Sequence, residues 1–385
     1  MSIDRYINKD GKKMRLGYTT GSCAAAASKA AAIMLVTGNI IESVHLMTPS
    51  GIGLTLEIHD ITINGGTAKC AVRKDSGDDP DVTNGMLIYA AVTLTDDPEI
   101  IIDGGEGIGR VTKRGLDQPV GNAAINSVPR RMIARELKYV CDEYHYSGGF
   151  IVIISALDGE EIAVRTFNSR MGITGGISVL GTSGIVEPMS DAAVVDTLRK
   201  ELDMRIAAGA EYLLLTPGNY GESYIRETLK FDPGEIVKCS NFIGDSIEYA
   251  AEIGFENIIL IGHIGKLIKL AGGLFNTHSR YGDCRAEITA AHAAMFGIDP
   301  ERVKRIFDSA TVDEMLVILD EIGTREQVMA SVTARLEFLL NERIKLYTNR
   351  AEIAAVLFSL KYGLLGRTAN AENLINKING GTEQW

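Results

Sequence analysis

The sequence predicts an α+β N-terminal domain followed by an α/β, Rossmann-like C-terminal domain with a mainly parallel sheet. The first half mixes short β-type runs with two helical segments and shows no strand–helix alternation. After Gly172 the chain changes to strand, glycine-bearing loop and helix, repeated four times. Its 385 residues also suit two domains better than one. The expected division is 1–168 and 169–385, the latter becoming mainly helical from about Ile288.

In chain order, TTGSCAAAASKAAAIMLVTG from Thr19 reads as a helix capped by Thr19, Thr20 or Ser22 and stopped by Gly38. Short strands follow, and Asn64-Gly65-Gly66 marks a hairpin between two of them. Ser127-Val128-Pro129 opens a second helix, and Asp158-Gly159 signals a second hairpin, joining FIVIISAL to EIAVRTF. In the second half, ISVL leads into GTSG and a helix from Ser190 to about Ala208. YLLL leads into TPGNYG, EIVKC into SNFIGD and NIILIG into HIGK, each followed by a helix. Glu352–Leu360 reads as a further strand or a helix.

Charge narrows the function classes. The 39 Lys and Arg against 50 Asp and Glu give −11, which argues against a general nucleic-acid or anionic-membrane binder. Residues 75–106 carry nine acids and no Lys or Arg. Residues 110–138 hold Arg110, Lys113, Arg114, Arg130, Arg131, Arg135 and Lys138 against Asp117 and Glu136. Such a strip suits a small polyanion. Five scattered cysteines without a C-x-x-C pair predict a reduced protein. No signal peptide is read, and the longest apolar run, Ala24–Val36, is interrupted by Ser28 and Lys29, so the expected compartment is the cytoplasm.

The loops carry the candidate chemistry. Gly181-Thr182-Ser183-Gly184, preceded by Arg170 to Gly176 with three more glycines, allows close backbone approach by a nucleotide-like ligand. A purely structural turn is the alternative. No P-loop lysine follows and no acid sits at a strand end about 20 residues on, which disfavours NAD. His263, before Gly265-Lys266, is placed to act as acid or base or to cap the next helix. Asn276-Thr277-His278-Ser279-Arg280 is a dense polar run in which Arg280 suits a carboxylate. Thr19, Thr20 and Ser22 form either an anion cradle or an N-cap. Arg130 and Arg131 sit at a helix start, where cations are unfavourable unless an anion binds. Cys23 reads as core, and no metal-ligand spacing is present.

Gly17-Tyr18-Thr19-Thr20-Gly21-Ser22-Cys23-Ala24-Ala25-Ala26, Val111-Thr112-Lys113-Arg114-Gly115-Leu116 and Ala124 to Ile133 resemble the cobalt-precorrin-5B C-1 methyltransferases (CbiD type). Gly175 to Val186, Pro188-Met189-Ser190, Gly262 to Lys266 and Phe275 to Arg280 fit the same family in consistent order. The resemblance implies methyl transfer from S-adenosylmethionine to carbon 1 of a cobalt-containing tetrapyrrole, giving cobalt-precorrin-6A in anaerobic cobalamin biosynthesis. On the reading of the loops, such a donor is expected at Gly181, Thr182, Ser183, Gly184, Gly218 and Glu222. The polycarboxylate ring falls to Thr19, Thr20, Ser22, Arg130, Arg131, Lys266, Thr277 and Arg280, with His263 or His278 as base. Cobalt arrives inside the substrate, so no protein-bound metal is expected. The YLLL strand ends Thr216-Pro217-Gly218 without an acid for ribose, leaving Glu222 as the nearest. Homo-oligomers and hand-off to pathway enzymes are compatible with the sequence. An NAD(P)-linked oxidoreductase and a non-catalytic tetrapyrrole carrier are the alternatives.

Overall fold

In the computed structural model, which describes residues 4–9, 11–166, 168–169, 171–230 and 236–378, the first long helix runs Thr20–Thr37. The Thr19 side chain accepts from the Ser22 N–H at 3.2 Å, and Gly38 closes the helix at φ 72°. Phe167, Arg170 and Glu235, which fall within expected elements, lie outside the described residues. Ala24 to Ala27 and Ala30 to Ala32 are fully buried, so small side chains let the helix lie close against its neighbours. The buried Lys29 is partnered in this environment: its Nζ meets Glu136 at 2.7 Å and the His45 carbonyl at 2.9 Å.

Contrary to expectation, this helix is long and apolar enough by length and composition to cross a membrane, the one such helix among the described residues. Most of its length is buried against Thr67–Arg73, Leu87–Thr95 and the helix Ser127–Tyr144, as a core helix requires.

Contacts divide the chain into two units, Met1–Asp191 and Ala192–Trp385. The first is built on a mixed sheet ordered His59–Asn64, Thr67–Arg73, Leu87–Thr95, Gly149–Ser155, Ile100–Gly104. The Asn64-Gly65-Gly66 hairpin forms as expected. The one at Asp158-Gly159 does not: Gly159–Ala163 is a short helix with Glu160 and Glu161 in its favourable first turn. A Cβ on Gly159 would lie 2.0 Å from the Gly107 carbonyl oxygen, so this backbone contact requires glycine.

The stretch from Ile173 to Val186 also departs from expectation. Instead of opening the parallel sheet it stays in the first unit. Ile173–Thr174 pairs with Arg110–Val111, Ile177 and Val179 bridge Ile108 and Ile125, and Ile185–Val186 pairs with Gly17–Tyr18. Gly176 serves contact of backbone with backbone: a Cβ there would meet the Gly107 carbonyl oxygen at 2.2 Å.

In the second unit the sheet order is Ile236–Lys238, Tyr212–Thr216, Asn257–His263, Glu352–Ser359, Gly363–Arg367. The first four are parallel and the last antiparallel. Alternate residues face opposite cores: Leu213, Leu215, Ile258 and Leu260 join one cluster, Leu214, Ile259, Ile261 and Phe358 the other. Burial on both faces explains why these strands read as unbroken apolar runs. Numbered within the unit, the strands lie 2-1-3-4-5, so the order reverses between Tyr212–Thr216 and Asn257–His263. A crevice opens at such a reversal, outside the carboxyl ends of the strands.

Candidate functional site

A cavity of about 380 Å³ occupies that position, lined by the loop after Thr216, the loop after His263, and Arg285, Thr311, Val312 and Asp313. It brings together Gly218, His263 and Lys266 of the expected site residues. Gly218 begins the short helix Asn219–Tyr224 with open space where a Cβ would stand. Gly221, one turn on, lies so close to Thr216 that a Cβ there would overlap Oγ1 at 1.8 Å.

His263 caps the helix Ile264–Ala271: its Nδ1 accepts the Gly265 N–H at 3.2 Å. The neutral ring therefore carries its proton on Nε2. Burial holds this imidazole below the ordinary histidine value, while the Asp313 carboxylate pulls it partly back. Phe358 stands edge-on to the ring at 5.7 Å, and Tyr220 is 6.0 Å away. Lys266 donates to the Pro217 carbonyl at 3.2 Å and the Ser240 carbonyl at 3.4 Å, tying together the loops after two adjacent strands. Burial lowers its pKa as well.

The other expected residues of this unit do not line the cavity. Glu222 pairs with Lys238 at 2.5 Å, which takes it away from a ribose. Thr277 is buried and donates to Asn241 Oδ1 at 3.2 Å, a contact between two loops. His278 caps the turn Ser279–Tyr281 by accepting the Arg280 N–H at 3.2 Å. Arg280 is exposed, with its guanidinium over the Tyr281 ring at 5.0 Å.

In the first unit, Thr19, Thr20 and Ser22 are brought against Gly181–Gly184, but as a clasp rather than an anion cradle. Ser22 Oγ donates to the Gly184 carbonyl at 2.7 Å. Thr20 Oγ1 accepts the Leu180 N–H at 3.0 Å and donates to the Leu180 carbonyl at 3.2 Å. All three residues are buried; the Thr20 and Ser22 hydroxyls are committed to the loop, while the Thr19 hydroxyl caps the helix and its N–H donates to the Gly184 carbonyl at 3.1 Å. Thr182 at the loop's tip is exposed, while Ser183 Oγ turns back to the Ile185 carbonyl at 2.9 Å.

Arg130 is likewise not poised for a ligand. Its Nε donates to the Ile125 carbonyl at 2.9 Å and its Nη1 to the Ile102 carbonyl at 2.7 Å. The anion at this helix start belongs to the protein: Asp117 accepts both the Ser127 N–H and hydroxyl at 2.7 Å. Arg131 remains exposed. A second cavity, of about 370 Å³, is lined by Arg15, Lys74 and Asp75 among others. Its charges are largely matched internally, Arg15 with Asp75 and Lys74 with Asp81. Among the described residues no group of three or more His, Cys, Asp or Glu could hold a metal ion.

Sequence reasoning missed Tyr220, Arg285, Thr311 and Asp313. Tyr220 lay within the quoted TPGNYG loop; Asp313, fifty residues past His263 in a helical stretch, gave no local signal.

The chain thus has a first unit built on a mixed sheet and a second whose largely parallel sheet carries a cavity at its reversal point. A family model described as CbiD matches residues 7–188, and one described as CbiD, C-terminal domain, matches residues 276–369. A cobalt-precorrin-5B C(1)-methyltransferase from Ruminiclostridium cellulolyticum is 51% identical, covering 93% of this chain and 92% of that protein. Proteins of the same name from Thermoanaerobacter sp. and Citrobacter koseri are 46% and 40% identical, each covering 98% of the relative and 95% and 98% of this chain. The solved cobalamin biosynthesis protein (cbiD) from Archaeoglobus fulgidus is 30% identical, covering 72% of this chain and 87% of that one, with a TM-score of 0.39. This chain belongs to the CbiD family.

Proposed function

We infer that this chain methylates carbon 1 of cobalt-precorrin-5B in cobalamin biosynthesis, with S-adenosylmethionine as donor and the cytoplasm as compartment. The observation that carries the reaction is near-full-length similarity to proteins of that activity, up to 51% identity. The donor is supported by the chemistry of the second-unit cavity, which offers an aromatic ring, a carboxylate and two cations but no P-loop. We place the donor on this Rossmann-like sheet and the substrate's carboxylates on exposed cations of the first unit, such as Arg131.

The donor supplies an electrophilic methyl on a sulfonium. The protein's contribution is to hold that carbon and the ring carbon at near-attack distance. Donor charge is lost as the methyl moves, so a site that excludes water favours the transition state. His263, whose Nδ1 is taken by the Gly265 N–H, offers its Nε2–H as a hydrogen-bond donor to the bound ligand.

Incubating the protein with S-adenosylmethionine and cobalt-precorrin-5B should yield a product heavier by one methyl group. Titration with S-adenosylhomocysteine and with NADPH separates the donor from the oxidoreductase alternative. Binding of NADPH alone would overturn the assignment.

A further inference from the structure

We propose that Asp313 holds the vicinal hydroxyls of the donor's ribose, in the crevice between the ends of Tyr212–Thr216 and Asn257–His263. This rests on the donor assignment above and specifies the seat of its nucleoside.

A doubly wound sheet commonly meets ribose hydroxyls with an acid at a strand end near the crevice. Here no such acid exists: Tyr212–Thr216 runs into Pro217-Gly218, Asn257–His263 into Ile264-Gly265, and Ile236–Lys238 into Cys239-Ser240. The nearest alternative, Glu222, is bound to Lys238. The cavity nevertheless contains one carboxylate, delivered by the first turn of the helix Val312–Glu321.

That carboxylate is oriented and only partly used. Ser359 Oγ donates to Asp313 Oδ1 at 2.9 Å. Ser359 is itself buried at the end of the strand Glu352–Ser359, and its Oγ accepts the Lys361 N–H at 3.1 Å. The serine hydroxyl thus has a fixed direction, and it fixes the acid. Asp313 Oδ2 has no hydrogen-bond partner among the described residues. The cavity's two cations do not claim it: Arg285 is held by Asp283, and Lys266 by two backbone carbonyls. A carboxylate with one oxygen anchored and the other open accepts two O–H donors side by side, the pattern a vicinal diol presents. Tyr220, 62% exposed at the cavity wall, offers a ring face for the base. The volume of about 380 Å³ is within the range of small-molecule sites. Asp313 is therefore a binding residue and Ser359 a positioning residue.

The test is isothermal titration of the full chain with S-adenosylhomocysteine and with its 2′-deoxy and 3′-deoxy analogues. Wild-type protein should prefer the ribo compound by about 10- to 100-fold, the value of a hydrogen bond to a charged group. Asp313→Asn should lose that preference, binding all three within about threefold of one another. Ser359→Ala, which leaves the acid in place, should erode the preference by about two- to fivefold, and it serves alone if Asp313→Asn does not fold. Undiminished preference in both variants overturns the role of Asp313 and leaves the donor assignment standing. Wild-type protein that binds the ribo and deoxy compounds equally does the same. Failure of the wild type to bind any of the three overturns the donor assignment, and this inference with it.

Discussion

Exchanging Gly184 for alanine probes the clasp that joins the first helix to the 180–184 loop. Gly184 is buried at φ 79°, and its carbonyl accepts from Ser22 Oγ and the Thr19 N–H. A Cβ there would lie 2.8 Å from Thr48 Cβ and 3.0 Å from both Pro49 Cδ and Ser22 Oγ. Gly38, at φ 72°, shares the left-handed backbone but has nothing within 4 Å of the same position. Left-handed strain alone costs about 1–2 kcal/mol in each variant. Overpacking adds about 1–3 kcal/mol only at Gly184. The expected losses are thus about 1–2 kcal/mol for Gly38→Ala and about 2–5 kcal/mol for Gly184→Ala. Hydrogen exchange of amides in Thr20–Thr37 reads the stability of this unit without requiring the whole chain to unfold in one step. Equal losses, within about 0.5 kcal/mol, would refute the tight fit of the clasp.

Arg130→Ala should cost about 1–3 kcal/mol of first-unit stability by leaving the Ile125 and Ile102 carbonyls without their donor, with tetrapyrrole affinity unchanged. Arg131→Ala should do the reverse, weakening tetrapyrrole binding roughly 1.5- to 5-fold at constant stability; the opposite assignment of effects would sink both roles. Burial lowers the pKa of His263 and His292 in the folded state, so the unfolded chain binds protons first as pH falls. Stability should therefore be full above the ordinary histidine range, decline below about pH 6.5, and level off once the folded histidines also protonate. Urea titrations at pH 7.5 and 5.5 should show a smaller decline for His263→Gln than for wild type, and matching declines would exclude His263 from the effect.

What could be read from the sequence was what is decided locally. Thr19 and Gly38 cap their helix through contacts within it, and Asn64-Gly65-Gly66 turns its hairpin without outside help. The strand–loop–helix rhythm likewise exposed Gly218, His263 and Lys266, because a residue just after a parallel strand is carried to the crevice by the strand itself. The errors arose where distant segments decided. ISVL has strand composition, but its partners are Ile108 and Ile125, some sixty residues earlier, and no window around it reveals them. Glu352–Ser359 enters the sheet beside Asn257–His263 after an intervening run of helices, and a short apolar run alone does not separate strand from helix. Asp313 and Ser359 meet across 46 positions, a pairing set by that late strand.

The same distinction resolves how an acidic chain can take a polyanion. Net charge counts every ionised group alike, whereas an approaching carboxylate responds to those left exposed and unmatched. In the acidic stretch, Asp75 is held by Arg15, Asp81 by Lys74 and Asp103 by Arg110, while Asp78 and Asp79 accept backbone N–H groups of Arg15 and Met189. These pairs also remove Arg110 from the basic strip. Arg135 is removed by Glu136, and Arg130 by its two carbonyls. Lys113, Arg114, Arg131 and Lys138 are exposed and carry no ion pair among the described residues. The charge available to a ring of carboxylates is therefore smaller than the strip's composition and opposite in sign to the chain's total. Because these four are solvated, their contribution should fade with added salt. Tetrapyrrole affinity that stays constant from 50 to 500 mM salt would place the substrate's carboxylates on buried partners instead.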